Sequence, residues 1–264
     1  MRGGQTLPMN RAFESAIYPG DRGLKGAARA AALLALLCAG CFSLEGPQRI
    51  GQLEALLAEP VVPVVVDPHA LLAFVRVAQA LTFSSGFAQG ERLRAQFALP
   101  SPTPGFAEAF VAALREDPRL ASSSFALSEL GAASEALAAR GAAPVLFASV
   151  GSWRLFYDLS LRRYQMSVWL RVQVTPAAQV APWRGAAALP GRLWKGDCTF
   201  RGPDPPLPIE AWRADEGALL QRMLSEAQQR CGRSVAERLL AFLERGEEQG
   251  AFDFGDLEPS SGGL

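Results

Sequence analysis

The stretch YQMSVWLRVQV, Tyr164 to Val174, alternates without a break. Successive side chains of an extended strand point to opposite faces. Tyr164, Met166, Val168, Leu170, Val172 and Val174 therefore share one side, and Gln165, Ser167, Trp169, Arg171 and Gln173 the other. This predicts a strand with one face in a core and the other polar. RLWKGDCTFR (Arg192 to Arg201) repeats the pattern, with Trp194, Gly196, Cys198 and Phe200 set against Lys195, Asp197 and Thr199. Just upstream, APVLFASVGSWRLF (Ala143 to Phe156) is apolar on both faces and reads as a central strand.

Helical patterns surround these strands. From about Asp215 to Leu243 an apolar stripe runs through Leu220, Leu224, Ala227, Cys231, Val235, Leu239 and Phe242 at near-helical spacing. FAEAFVAALRED places Phe106, Phe110, Val111 and Leu114 on one helical face, and Pro118 closes it. ELGAASEALAARG reads as a helix capped by Ser128 and stopped by Gly141. RLASSSFAL and VVPVVV (Val61 to Val66) read as strands, the second confined by Pro63 to an edge or a strand start. ALLAFVRVAQAL (Ala70 to Leu81) fits either helix or strand, while TFSSGFAQG and LPSPTPG carry loop signals. The expected fold class is α/β (α+β): a mixed β-sheet with helices mainly on one face and a long C-terminal helix.

The 264 residues suffice for one good-sized domain or two small ones, and a hydrophobic share of 49% allows a packed core. Five of the 26 basic and two of the 26 acidic residues precede Cys41, leaving 21 basic against 24 acidic. A slightly acidic body argues against nucleic acid as a partner, because phosphate binding needs a basic stripe.

Arg22, Lys25 and Arg29 precede an uncharged run, Ala30 to Gly40. Its roughly eleven residues are about half of the ~20 that a bilayer-spanning helix needs. A basic flank, a short apolar run and small residues before Cys41 describe a signal peptide. A buried core helix, a Cys38/Cys41 redox or metal pair, and a signal peptide without lipidation are the other readings. The run resembles the lipobox of bacterial lipoproteins, Leu-(Ala/Ser)-(Gly/Ala)-Cys: Ala39 and Gly40 precede Cys41, and Cys38 stands where an aliphatic residue is usual. That resemblance implies lipidation of Cys41 as the first mature residue. With Phe42 rather than Asp next, it implies delivery to the outer membrane. The chain then divides into a signal peptide (1–40), a lipidated tether with a short helix from Ile50 to Ala58 (41–60), one α/β domain (61–245) and a flexible tail (246–264).

Cys198 and Cys231 fall on apolar faces of a strand and a helix, so helix-on-sheet packing would turn both thiols to one interior. In an exported protein the default product is a disulfide; two buried free thiols are the alternative.

Little points to catalysis. The one histidine, His69, lies beside Pro68, and no G-x-S-x-G, P-loop, G-x-G-x-x-G or H-E-x-x-H is present. Asp67 and His69 at a strand end are the one candidate place for polar groups to converge, whereas Glu116–Asp117 and Glu247–Glu248 read as solvated surface. No cofactor and no metal site is expected.

The order of helices and strands over about residues 60 to 245 resembles a group of envelope proteins. It comprises the curli-secretion channel lipoproteins, the amino-terminal domain of the TolB translocation protein and the lipoprotein activators of penicillin-binding proteins. In these a helix ending in Gly-Ala leads into a strand like the one from Val145, and a later strand carries Leu-Trp, as Leu193–Trp194 does here. Ala143–Pro144 replaces the usual acidic residue, and a seventeen-residue loop with Trp183 replaces a short link. The resemblance implies a non-catalytic, membrane-anchored protein facing the periplasm, with an envelope protein or peptidoglycan as partner. Gln165, Trp169 and Arg171 on the polar strand face are the candidate contacts. A periplasmic or secreted enzyme using His69, and a self-assembling envelope component, are the competing expectations.

Overall fold

Among the described residues, a mixed seven-stranded sheet organises the fold. The computed structural model describes residues 46–75, 83–158, 162–180, 182, 191–245 and 252–253. The expected signal peptide, Cys41, Trp183, Glu247–Glu248 and the tail beyond residue 253 lie outside the described residues. In chain order the elements are α1 (Gly46–Leu57), β1 (Val61–Val66), β2 (Leu72–Val75), α2 (Phe83–Gln96), α3 (Pro102–Arg115), β3 (Ser124–Glu129) and α4 (Leu130–Arg140). They continue with β4 (Pro144–Asp158), β5 (Arg163–Pro176), α5 (Ala177–Val180), β6 (Trp194–Leu207), α6 (Ile209–Arg213), α7 (Ala218–Arg245) and β7 (Phe252–Asp253).

The strands lie in the order β3-β1-β4-β5-β6-β7, and β2 pairs with β4 beyond the end of β1. β3, β1 and β4 are parallel; β4, β5 and β6 are antiparallel neighbours. α1, α2, α3 and α7 bury their apolar sides on the face that carries Val64, Leu146, Leu170 and Cys198. On the opposite face α4 and α5 cover a smaller cluster of Val65, Val145 and Phe147 with Ala133, Leu137 and Val180. The expected fold class is therefore the observed one, down to the 28-residue α7, whose stripe from Leu220 to Phe242 is buried throughout.

Several local expectations are corrected. VVPVVV is not an edge strand: β1 lies between β3 and β4. Its ladder to β4 begins at Val64, one residue after the proline, and Asp67 N–H donates to Ala148 O. By the two-residue period the absent N–H of Pro63 faces Pro144 O, and Arg140 Nε donates to that carbonyl at 3.1 Å. Ser128 does not cap α4; Glu129 holds the N-cap position without a side-chain bond, while Gly141 ends the helix at φ 59° as expected. The short helix expected from Ile50 to Ala58 instead spans Gly46–Leu57, with Leu53, Leu56 and Leu57 in the core.

The largest correction is α2, which covers most of the loop expected at TFSSGFAQG. Gly86 and Gly90, one turn apart, sit where the helix crosses β2. A Cβ on Gly90 would lie 1.7 Å from Leu72 O and one on Gly86 3.0 Å from Phe74 O. These glycines permit close backbone approach rather than a turn. Gly90→Ala is thus expected to destabilise the domain by about 2 kcal/mol through overpacking. Gly131→Ala, in α4 with open space around the new Cβ, is expected to stabilise it by about 0.5–1 kcal/mol through helix propensity. Urea-unfolding midpoints of the two variants should move in opposite directions; a Gly90→Ala midpoint no lower than that of the wild type would rule out the tight α2–β2 contact.

Candidate functional site

The polar face of β5 meets its neighbours in register. Ser149 of β4 lies opposite Arg171, and Arg171 lies opposite Asp197 of β6. Extending the β1–β4 ladder by one residue puts Asp67 beside Ser149. Alternation turns all four to the face that carries α4, so Asp67, Ser149, Arg171 and Asp197 form one row across four strands. All four are buried, as are Gln173 and Thr175 next to them.

Asp197 anchors one end of the row. Arg171 Nε donates to its Oδ1 at 2.6 Å, and Lys195 pairs with its other oxygen. The Arg171 guanidinium also lies 4.5 Å from the centre of the Trp169 ring. Trp169 in turn rests on Gly151, at a bulge in β4 where any Cβ would fall 2.2 Å from the indole. From the other face Arg238 of α7 reaches the backbone, donating from Nη1 to Asp197 O at 2.7 Å. Burial holds the Arg238 guanidinium below its ordinary pKa, and the Asp197 charge pulls the other way.

Asp67 closes the row at the C-terminal end of β1, where the chain detours before resuming as β2 alongside β4. Burial pushes its carboxyl above the ordinary carboxylate range, and the backbone N–H of His69, which donates to Oδ1 at 3.1 Å, opposes that shift. The detour is clamped from α2: Leu72 N–H donates to Glu91 Oε1 at 3.0 Å, and Arg94 Nη1 donates to Ala70 O at 3.3 Å. His69 is exposed and meets Asp67 through its backbone. Its ring is not part of the row.

The expected contact residues occupy different situations. Gln165 is half-buried and donates from Nε2 to Pro203 O at 3.2 Å, Trp169 is half-buried on Gly151, and Arg171 is only 5% exposed. The expectation of an open polar face is thus corrected at Arg171 and Gln173: their register with β4 and β6 makes them internal. Glu116 is exposed opposite Arg233, and Arg119 holds the Asp117 carboxyl below the ordinary range. Cys198 and Cys231 are bonded, with Cα atoms 5.5 Å apart, joining β6 to α7 inside the core.

Two other features bear on chemistry. A cavity of about 210 Å³ between α1, the segment after α3 and the end of α7 is lined by Leu57, Leu120, Leu240 and Leu243 with Glu54 and Arg119. Among the described residues, no three His, Cys, Asp or Glu side chains gather into a metal site, and no helix is long and apolar enough to cross a membrane. The row is suited to fixing strand register through a buried ion pair, with Lys195 and Trp169 at its half-exposed margin. Sequence reading missed it because Asp67 and Ser149 come from separate segments; the one signal was a polar residue recurring at the same alternate position in each strand. Compared with family models, characterised proteins and solved structures, the chain matches none.

Proposed function

We propose that the protein is a non-catalytic bacterial outer-membrane lipoprotein, anchored through Cys41 and facing the periplasm, whose α/β domain binds another envelope component. The observation that carries this reading is the Cys198–Cys231 bridge at the centre of the fold. Structural disulfides persist in oxidising compartments and are rare in reducing ones, so a core bridge supports an exported chain. The basic flank, short apolar run and Ala39-Gly40-Cys41 of the sequence supply an export signal and a lipidation site. Two or three acyl chains, at ~0.8 kcal/mol per buried methylene, would hold the domain at the membrane stably. The partner is an envelope protein or peptidoglycan, as in the lipoprotein group that the order of elements resembles. Half-exposed Lys195 and Trp169 at the margin of the row, with Gln165, are the groups offered to it.

The test is an intact mass of the membrane-extracted protein, alkylated with and without prior reduction. The expected species begins at Cys41, carries acyl mass, and shows two alkylatable thiols only after reduction. A chain retaining residues 1–40, or two thiols alkylated without reduction, would end the envelope reading.

A further inference from the structure

We infer that β3 is a homodimerisation edge, at which two copies pair their β3 strands antiparallel across a two-fold axis to extend the sheet. β3 ends the strand order, with β1 on one side and no strand on the other among the described residues. Edge strands are ordinarily blunted by lysine, proline or a bulge. Ser124–Glu129 holds no lysine or proline, and its ladder with β1 runs without a register shift. Ala126, Leu127 and Glu129 are exposed, and Leu127 is among the large exposed apolar side chains, at 38%.

The edge is self-complementary. Phe125, Leu127 and Glu129 alternate onto the face where α3 ends, and there the Arg115 guanidinium lies 5.7 Å from the centre of the Phe125 ring. With Leu127 on the axis, it faces Leu127 of the second copy. Phe125 then faces Glu129 of the second copy, bringing that carboxylate to Arg115. Arg115 and Glu129 are both exposed, and neither belongs to an ion pair among the described residues. An isologous contact makes each such pairing twice, so one substitution acts at two places. The arrangement buries the exposed leucine, satisfies the open strand edge and pairs two charges of opposite sign.

The test is sedimentation velocity of the full chain extracted in detergent. The wild-type protein is expected to be a dimer. Arg115→Glu and Glu129→Arg should each weaken it about tenfold, through like charges brought together twice. The double variant, with the charges exchanged, should restore dimerisation, which a merely structural role for either residue would not do. Leu127→Cys provides a second measurement that leaves both charges in place. Residues directly opposite in an antiparallel pair have Cα atoms about 4.5–5.5 Å apart, within disulfide reach. Leu127→Cys should therefore give a reducible covalent dimer, and Ala126→Cys, which this register sets opposite Ser128 of the second copy, should not. A monomer at every concentration, no recovery in the double variant, or equal cross-linking at positions 126 and 127 would overturn the inference.

Discussion

Removing the Cys198–Cys231 bridge is expected to lower the unfolding midpoint of the domain by roughly 10 °C. The bridge spans 33 positions of sequence. A loop of that length, closed in the unfolded chain, is worth about 4 kcal/mol in the chain-entropy model. For a domain of about 200 residues, each kilocalorie moves the midpoint by roughly 2–4 °C. The double variant Cys198→Ala/Cys231→Ala isolates the cross-link, because both positions are fully buried and alanine adds no polar group there. It also opens a small cavity between β6 and α7, which adds to the loss. Melting the oxidised wild type, the reduced wild type and the double variant by circular dichroism separates the two contributions. Reduced wild type gives the cross-link, and the further drop in the variant gives the packing. If oxidised and reduced protein melt together, the bridge constrains nothing, and its support for an oxidising compartment goes with it.

The features legible in the sequence were those encoded within a single element. The alternation from Tyr164 to Val174 and the stripe from Leu220 to Phe242 each carry their own period, and each places a cysteine-bearing neighbour or its own cysteine on the core side. The disulfide could be anticipated because two local patterns pointed to one interior. α2 was illegible for the opposite reason. Gly86 and Gly90 are breakers by propensity, and only the backbone of β2 beneath them makes them assets. Pro63 misled in the same way: a missing donor is tolerable inside the sheet because Arg140, from a different helix, bonds the carbonyl it leaves open. The buried row lay furthest from view. Its members belong to β1, β4, β5 and β6, and the neighbourhood of β1 and β4 depends on a connection that passes over β1 through β3 and α4. An arginine on a polar strand face reads as exposed until the register supplies its carboxylate.

Asp197→Ala is expected to cost about 3–5 kcal/mol, the range for a buried ion pair that loses one partner. Arg171 and Asp197 have side chains 6% and 8% exposed, and their bond is short at 2.6 Å, so the arginine charge left behind would remain largely desolvated. Lys195 pairs with the same carboxylate but is 30% exposed, and Lys195→Ala should cost only about 0–1 kcal/mol because water replaces the contact. Asp197→Asn should fall between them, keeping an acceptor for Arg171 Nε while removing the charge. Arg238, which bonds the backbone carbonyl of Asp197, is available to all three variants and does not distinguish them. Replacing both partners, Arg171→Met with Asp197→Leu, should recover much of the loss, since apolar groups of similar volume carry no desolvation penalty. Urea-unfolding midpoints for the five proteins rank these effects directly. Equal losses for Asp197→Ala and Lys195→Ala would mean that Arg171 is solvated in the folded state. A double variant as unstable as Asp197→Ala would mean that the pair contributes geometry that packing cannot replace, and the row would then set the register between β5 and β6 rather than simply fill the space between them.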